Sequence, residues 1–135
     1  MTQETENSLF APDSPQIAEV YTTDASIVLY HGDVADLLKT IPNESVNLIV
    51  TSPPYNMGKE YENRVSVDAY LNNQKTVISE LYRILRNDGS ICWQVGNYVE
   101  DGEVYPLDIL FYELFKKFGF PDSNGKDTIT SGELS

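Results

Sequence analysis

Residues 46–61 read VNLIVTSPPYNMGKEY, and the fold turns on how that stretch divides. Val46 to Thr51 is mostly apolar and rich in valine and isoleucine, which suits a buried strand. The run stops abruptly in Ser52-Pro53-Pro54-Tyr55. Consecutive prolines give up two backbone donors and fix φ, so the chain leaves this strand through a stiff loop. A loop held so rigidly at the edge of a sheet calls for a chemical reason.

Outward from it, the chain alternates. Upstream, Ser26 to Tyr30 (SIVLY) is an apolar run suited to a strand buried on both faces, followed by a His31-Gly32-Asp33 turn. Asp33 can cap a short helix, DVADLLKTI, which Pro42-Asn43 breaks. Downstream, residues 56–64 read as a polar loop, and Ser66 caps a long helix from Val67 to about Arg86. Ile78, Leu81, Tyr82 and Leu85 recur there at helical spacing. Asn87-Asp88-Gly89 signals a turn, Ser90 to Val95 a third strand, and Gly96-Asn97 its end. Pro106 opens a last helix, carrying Leu107, Leu110, Leu114 and Phe118, and Gly119 ends it.

The order β-α-β-α-β-α predicts an α/β fold: a partial Rossmann-like, three-layer α/β/α arrangement around a mostly parallel sheet. Three strands make half of a doubly wound sheet. The expected organisation is a flexible tail over residues 1–20, a partial catalytic domain over 21–120, and a disordered tail over 121–135. That last stretch, PDSNGKDTITSGELS, is polar and aperiodic, and reads as unable to continue the sheet. The chain is therefore expected to be cut short.

Bulk composition narrows the chemistry. Across 135 residues, 21 acidic and 9 basic side chains give a net charge of −12. No basic stripe for nucleic acid is visible, which argues against a DNA surface within these residues. One cysteine, Cys92, and one histidine, His31, exclude an internal disulfide and make a metal site unexpected. Cys92 and Trp93 read as packing residues of their strand. With no signal peptide and no apolar run of membrane-spanning length, the expected location is the cytoplasm.

In parallel α/β sheets, ligands sit beyond the carboxyl ends of the strands. Three stretches fall there: His31-Gly32-Asp33, Ser52-Pro53-Pro54-Tyr55, and Gln94 to Asn97. A Pro-Pro loop at that edge is expected to present rigid, outward carbonyls as fixed acceptors with no competing N–H groups; Ser52 adds a hydroxyl, and Tyr55 adds a flat face. Such a set suits the exocyclic amino group of a nucleobase. Two acceptors on its hydrogens can turn the nitrogen lone pair out of the ring toward an electrophile. An aromatic ring can stack on a base swung out of the duplex.

From Tyr30-His31-Gly32-Asp33 through LIVTSPPYN to ELYRILRNDGS, the chain resembles the DNA amino-methyltransferases, specifically their β-group. The resemblance covers roughly Ile27 to Phe120. It implies methyl transfer from S-adenosylmethionine to N4 of cytosine or N6 of adenine in double-stranded DNA, of the kind paired with restriction. It implies that Ser52 and the Pro53 carbonyl hold the target amino group, with Pro54 part of the same catalytic motif and Tyr55 stacked on the base. It further implies Asp33 on the cofactor's adenine and Gln94 as a second polar contact to the target. Serine at the first motif position leans toward cytosine N4, with adenine N6 the alternative.

Plainer readings stand beside these. The Pro-Pro stretch can simply end a strand or serve as a polyproline ligand, Asp33 can simply cap its helix, and Gln94 can be a polar strand end. The family's glycine-rich cofactor loop is absent, since none of the 8 glycines forms Gly-x-Gly. The expectation is a chain inactive by itself, and one that self-associates or docks a second chain. A non-catalytic remnant or half of a split enzyme is the alternative function.

Overall fold

The computed structural model describes residues 15–54, 56, 65–120 and 127–134. Contacts divide the chain into two units, Met1–Gly32 and Asp33–Ser135. In the first, β1 (Ile17–Ala18) and β2 (Ile27–Val28) form a two-stranded parallel sheet, with Ile17 opposite Ile27. This corrects the expected strand over residues 26–30. It is shorter, and it is not buried on both faces, because Ile27 and Leu29 are 41% and 63% exposed. A pairing only two residues long offers too little neighbouring surface to cover either face.

The second unit holds the main sheet. It runs α1 (Val34–Thr40), β3 (Val46–Thr51), α2 (Val67–Ile84), β4 (Leu85–Glu100), β5 (Glu103–Tyr105), α3 (Leu107–Lys117) and β6 (Asp127–Leu134). The start signals act as expected. The Asp33 carboxylate accepts from the Ala35 N–H at 2.8 Å, and the Ser66 hydroxyl accepts from the Ala69 N–H at 3.2 Å. At the end of α3, Gly119 takes φ +101°. The Gly119 and Phe120 amides then donate back to the carbonyls of Lys116 and Phe115, both at 3.1 Å.

β4 is the spine: β3 and β6 both pair with it in parallel, and β5 pairs antiparallel with its far end. α3 packs on β4 and β6 and against α2, and α2 packs on α1. Ile91, Trp93 and Val95 alternate along β4 into that helix layer and are buried. They meet Ile78, Leu81 and Ile84 of α2 and Phe111 and Phe115 of α3 in one core. Arg83 braces α1 to α2, donating to the Leu38 carbonyl at 2.7 Å and the Ile41 carbonyl at 2.9 Å. It also pairs with Glu80 at 2.8 Å, and that hydrogen bond holds the Glu80 carboxyl below its usual range. The result is a mixed α/β fold with a mostly parallel sheet, in keeping with the partial Rossmann-like expectation. On the other face of β3, Leu48 and Val50 are 58% and 72% exposed, so that face is open among the described residues.

Three features of this sheet differ from the sequence reading. First, Asn87-Asp88-Gly89 does not separate helix from strand but lies within β4. While β3 advances from Val46 to Leu48, β4 advances from Leu85 to Ser90, so the turn is accommodated as a bulge. A Cβ on Gly89 would lie 2.9 Å from the Asn47 carbonyl oxygen and 2.9 Å from Leu85 Cδ1. Gly89→Ala is therefore expected to destabilise the unit by about 1–3 kcal/mol, read as a lower urea midpoint. An unchanged midpoint would show that β3 and β4 can separate there without cost.

Second, β4 does not end at Gly96-Asn97 but runs on to Glu100 and turns back into β5. Asp101 and Gly102 form the connection with φ +51° and +80°. The signal was present, since Asp-Gly between Val99 and Val104 is a hairpin turn with both residues at positive φ. Third, residues 127–134 do continue the sheet, from Ser90 opposite Asp127 to Asn97 opposite Leu134. The expectation of a tail unable to do so is corrected. A parallel ladder joins backbone groups whatever the side chains, and β4 offers a second edge for it.

Candidate catalytic loop

β3 delivers its stiff loop to the carboxyl edge of the sheet. Thr51 is opposite Trp93, the last pair of this ladder, and Ser52 and Gln94 are the residues that follow them in the two chain segments. Both Ser52 and Gln94 are exposed, and Pro53 is half-buried. The sheet thus brings two of the sequence-chosen polar residues to one edge. Tyr55 lies outside the described residues, as do residues 57–64 of the expected polar loop.

Pro54 corrects one expectation. Its carbonyl does not project outward but accepts the hydroxyl of Tyr70, from the first turn of α2. The physical reason lies in Tyr70. Its ring is buried edge-on against Phe111, and a buried phenol needs an acceptor. The loop's exit is also fastened. Asn56 is buried, donates its carboxamide N–H to the Val65 carbonyl at 2.6 Å, and accepts the Val65 N–H at 2.8 Å. A side chain here meets both backbone groups of Val65, as a backbone partner would. Neither Tyr70 nor Asn56 was chosen from the sequence. The available signal for Tyr70 was a phenol on the same helix stripe as Ile78, since a core tyrosine must find a partner.

The remaining candidates have structural duties of their own. Asp33 spends Oδ1 on capping α1 and is otherwise exposed. Asn97 accepts the Asp108 N–H at 3.1 Å and donates to the Asp108 carboxylate at 2.9 Å, which fastens the start of α3 to β4. Cys92 is half-buried and Trp93 buried, as packing residues should be. Among the described residues no group of histidine, cysteine and carboxylate side chains is arranged to hold a metal. None of the described helices is long and apolar enough to cross a membrane. A groove of about 560 Å³, lined by Asp68, Leu71, Lys75, Leu110, Glu113 and Lys117, opens between α2 and α3. Its lining includes no residue of the proline loop, so its size does not mark the chemistry.

Comparison with known proteins bears directly on this edge. The family model described as DNA methylase, covering N6 and N4 enzymes, matches residues 46–124, more than half of the chain. The chain belongs to the DNA methylase family. The match begins at the first residue of β3 and takes in the proline loop, α2, β4 and α3. The type II methyltransferase M.BglII of Bacillus subtilis is 46% identical over 95 residues, 69% of this chain and 26% of that protein. The type II methyltransferase M.ScaI of Streptomyces caespitosus is 36% identical over 100 residues, 72% of this chain and 33% of that protein. The DNA adenine methyltransferase YhdJ of Escherichia coli K12 is 39% identical over 66 residues, 47% of this chain and 22% of that protein. This DNA methylase chain thus spans between about a fifth and a third of these relatives' own lengths.

Proposed function

We propose that this chain carries the catalytic loop of a site-specific DNA methyltransferase acting on the exocyclic amino group of a flipped base in double-stranded DNA. The observation that carries the reading is the Ser52-Pro53-Pro54 loop, delivered by β3 to the sheet's carboxyl edge beside Gln94. It falls inside the stretch shared with the DNA methylases. N4 of cytosine is the favoured target, on the serine at the first motif position. The setting is the cytoplasm, and the chemistry needs no metal.

The methyl donor of this reading is S-adenosylmethionine, whose sulfonium supplies an electrophilic methyl group. Asp33 fits the donor's adenine on chemical grounds. It is exposed, and only its Oδ1 is committed to the helix cap. The Ser52 hydroxyl and Pro53 carbonyl accept from the hydrogens of the target amino group and turn its lone pair outward, with Gln94 as a further polar contact. Tyr55 stacks on the extruded base. With the donor bound, the C–N bond would form as the donor's C–S bond breaks, leaving the electron pair on sulfur, and one amino proton would pass to water. No strong base is required, and none is asked of His31.

A second reading, half of a split enzyme completed by another chain or by a copy of itself, is favoured by the open β3 face at Leu48 and Val50. The test of the first reading is nucleoside analysis of DNA methylated by the protein that carries this chain. N4-methylcytosine is the expected product. Finding only N6-methyladenine overturns the base assignment, and finding no methylated base overturns the function.

A further inference from the structure

Ser52, Pro53 and Pro54 lie in no regular secondary structure, so their aim must be set from outside the loop. Tyr70 is well placed to set it. It is 5% exposed, with its ring 5.7 Å from that of Phe111, which in turn lies 5.3 Å from Trp93 of β4. Trp93 is the residue opposite Thr51, immediately before the loop. The phenol is thus rooted in the same sheet that launches the loop, and its hydroxyl donates to the Pro54 carbonyl. Just beyond, Asn56 holds Val65 through two hydrogen bonds. The loop is gripped at its last proline and again at its exit.

We propose that Tyr70 is a positioning residue for the methyl transfer. By drawing the Pro54 carbonyl inward, it sets the peptide before it, so that the Pro53 carbonyl and the Ser52 hydroxyl are presented to the target amino group. The consequence for catalysis rests on the proposed function, whereas the grip on the loop rests on geometry alone. Prolines cannot answer the loss with an N–H of their own, and a displacement near 1 Å at a reacting group can cost on the order of 100-fold in rate.

Tyr70→Phe keeps the ring in its aromatic contacts and removes only the hydroxyl. In the protein that carries this chain, kcat for methylation is expected to fall about 10- to 100-fold, with KM for S-adenosylmethionine unchanged. Amide exchange separates a local release of the loop from a general loss of stability, while the kcat-against-KM split reports the positioning. The Val65 N–H, bonded to Asn56, should exchange faster, while the Ile91 N–H in the centre of β4 keeps its rate. A wild-type kcat in Tyr70→Phe overturns the proposal, and so does Val65 exchange that rises only in step with Ile91. If the wild-type protein transfers no methyl group, the proposed function fails and the exchange measurement alone judges the grip. Unchanged Val65 exchange then overturns it, and selective acceleration upholds Tyr70 as the loop's anchor.

Discussion

Tyr55→Ala and Pro53→Ala, each made in the protein that carries this chain, are expected to cripple methyl transfer for different reasons. Under the proposed function, removing the tyrosine takes away a stacking partner for the extruded base, worth about 1–3 kcal/mol. That corresponds to a loss of roughly 5- to 150-fold in kcat/KM. Pro53→Ala leaves a carbonyl in place but restores rotation about φ and adds an N–H, so the acceptor loses its fixed aim. Turnover should fall more than DNA affinity, because the aim matters most as the lone pair leaves the ring. Steady-state methylation kinetics and a DNA-binding titration on the same preparations separate the two effects. Wild-type rates in both variants would leave the proline loop a purely structural end to β3.

The second large effect is expected for the chain of 135 residues taken by itself. Calorimetric titration with S-adenosylmethionine should give no saturable heat. Asp33 and the proline loop are this chain's contributions to the proposed reaction, and its 8 glycines include no Gly-x-Gly to bring backbone donors to the donor molecule. The same sample should scatter light as a dimer or larger. Leu48 and Val50 stand open on β3, and covering a side chain of this size contributes about 1.5–3 kcal/mol. A monomer that binds the methyl donor tightly would refute both halves. It would mean that the described residues form a complete donor site without a glycine loop.

What was legible in the sequence was local. A β-branched run ending in Pro-Pro determined β3 and its rigid exit, because proline acts on its own φ and on the residue before it. Ser66 and Asp33 set the starts of α2 and α1, and Gly119 set the end of α3, through hydrogen bonds that span a few residues. The apolar stripe of α2 likewise named Ile78 and Leu81 as core before their partners were known. The proline motif in that setting was enough to identify the family.

The tertiary structure decided what depends on distant partners. Residues 26–30 have the composition of an interior strand, yet β2 pairs only with Ile17–Ala18, because composition does not choose a neighbour. The polar residues 127–134 pair along β4 because a free strand edge presents backbone donors and acceptors that any extended segment can meet. Asn87-Asp88-Gly89 has the letters of a turn, but the pairing of β3 on both sides of it makes it a bulge. The direction of the Pro54 carbonyl was likewise beyond local reading. It is set by Tyr70, distant along the chain, whose ring is held by Phe111 and whose buried hydroxyl had to find an acceptor.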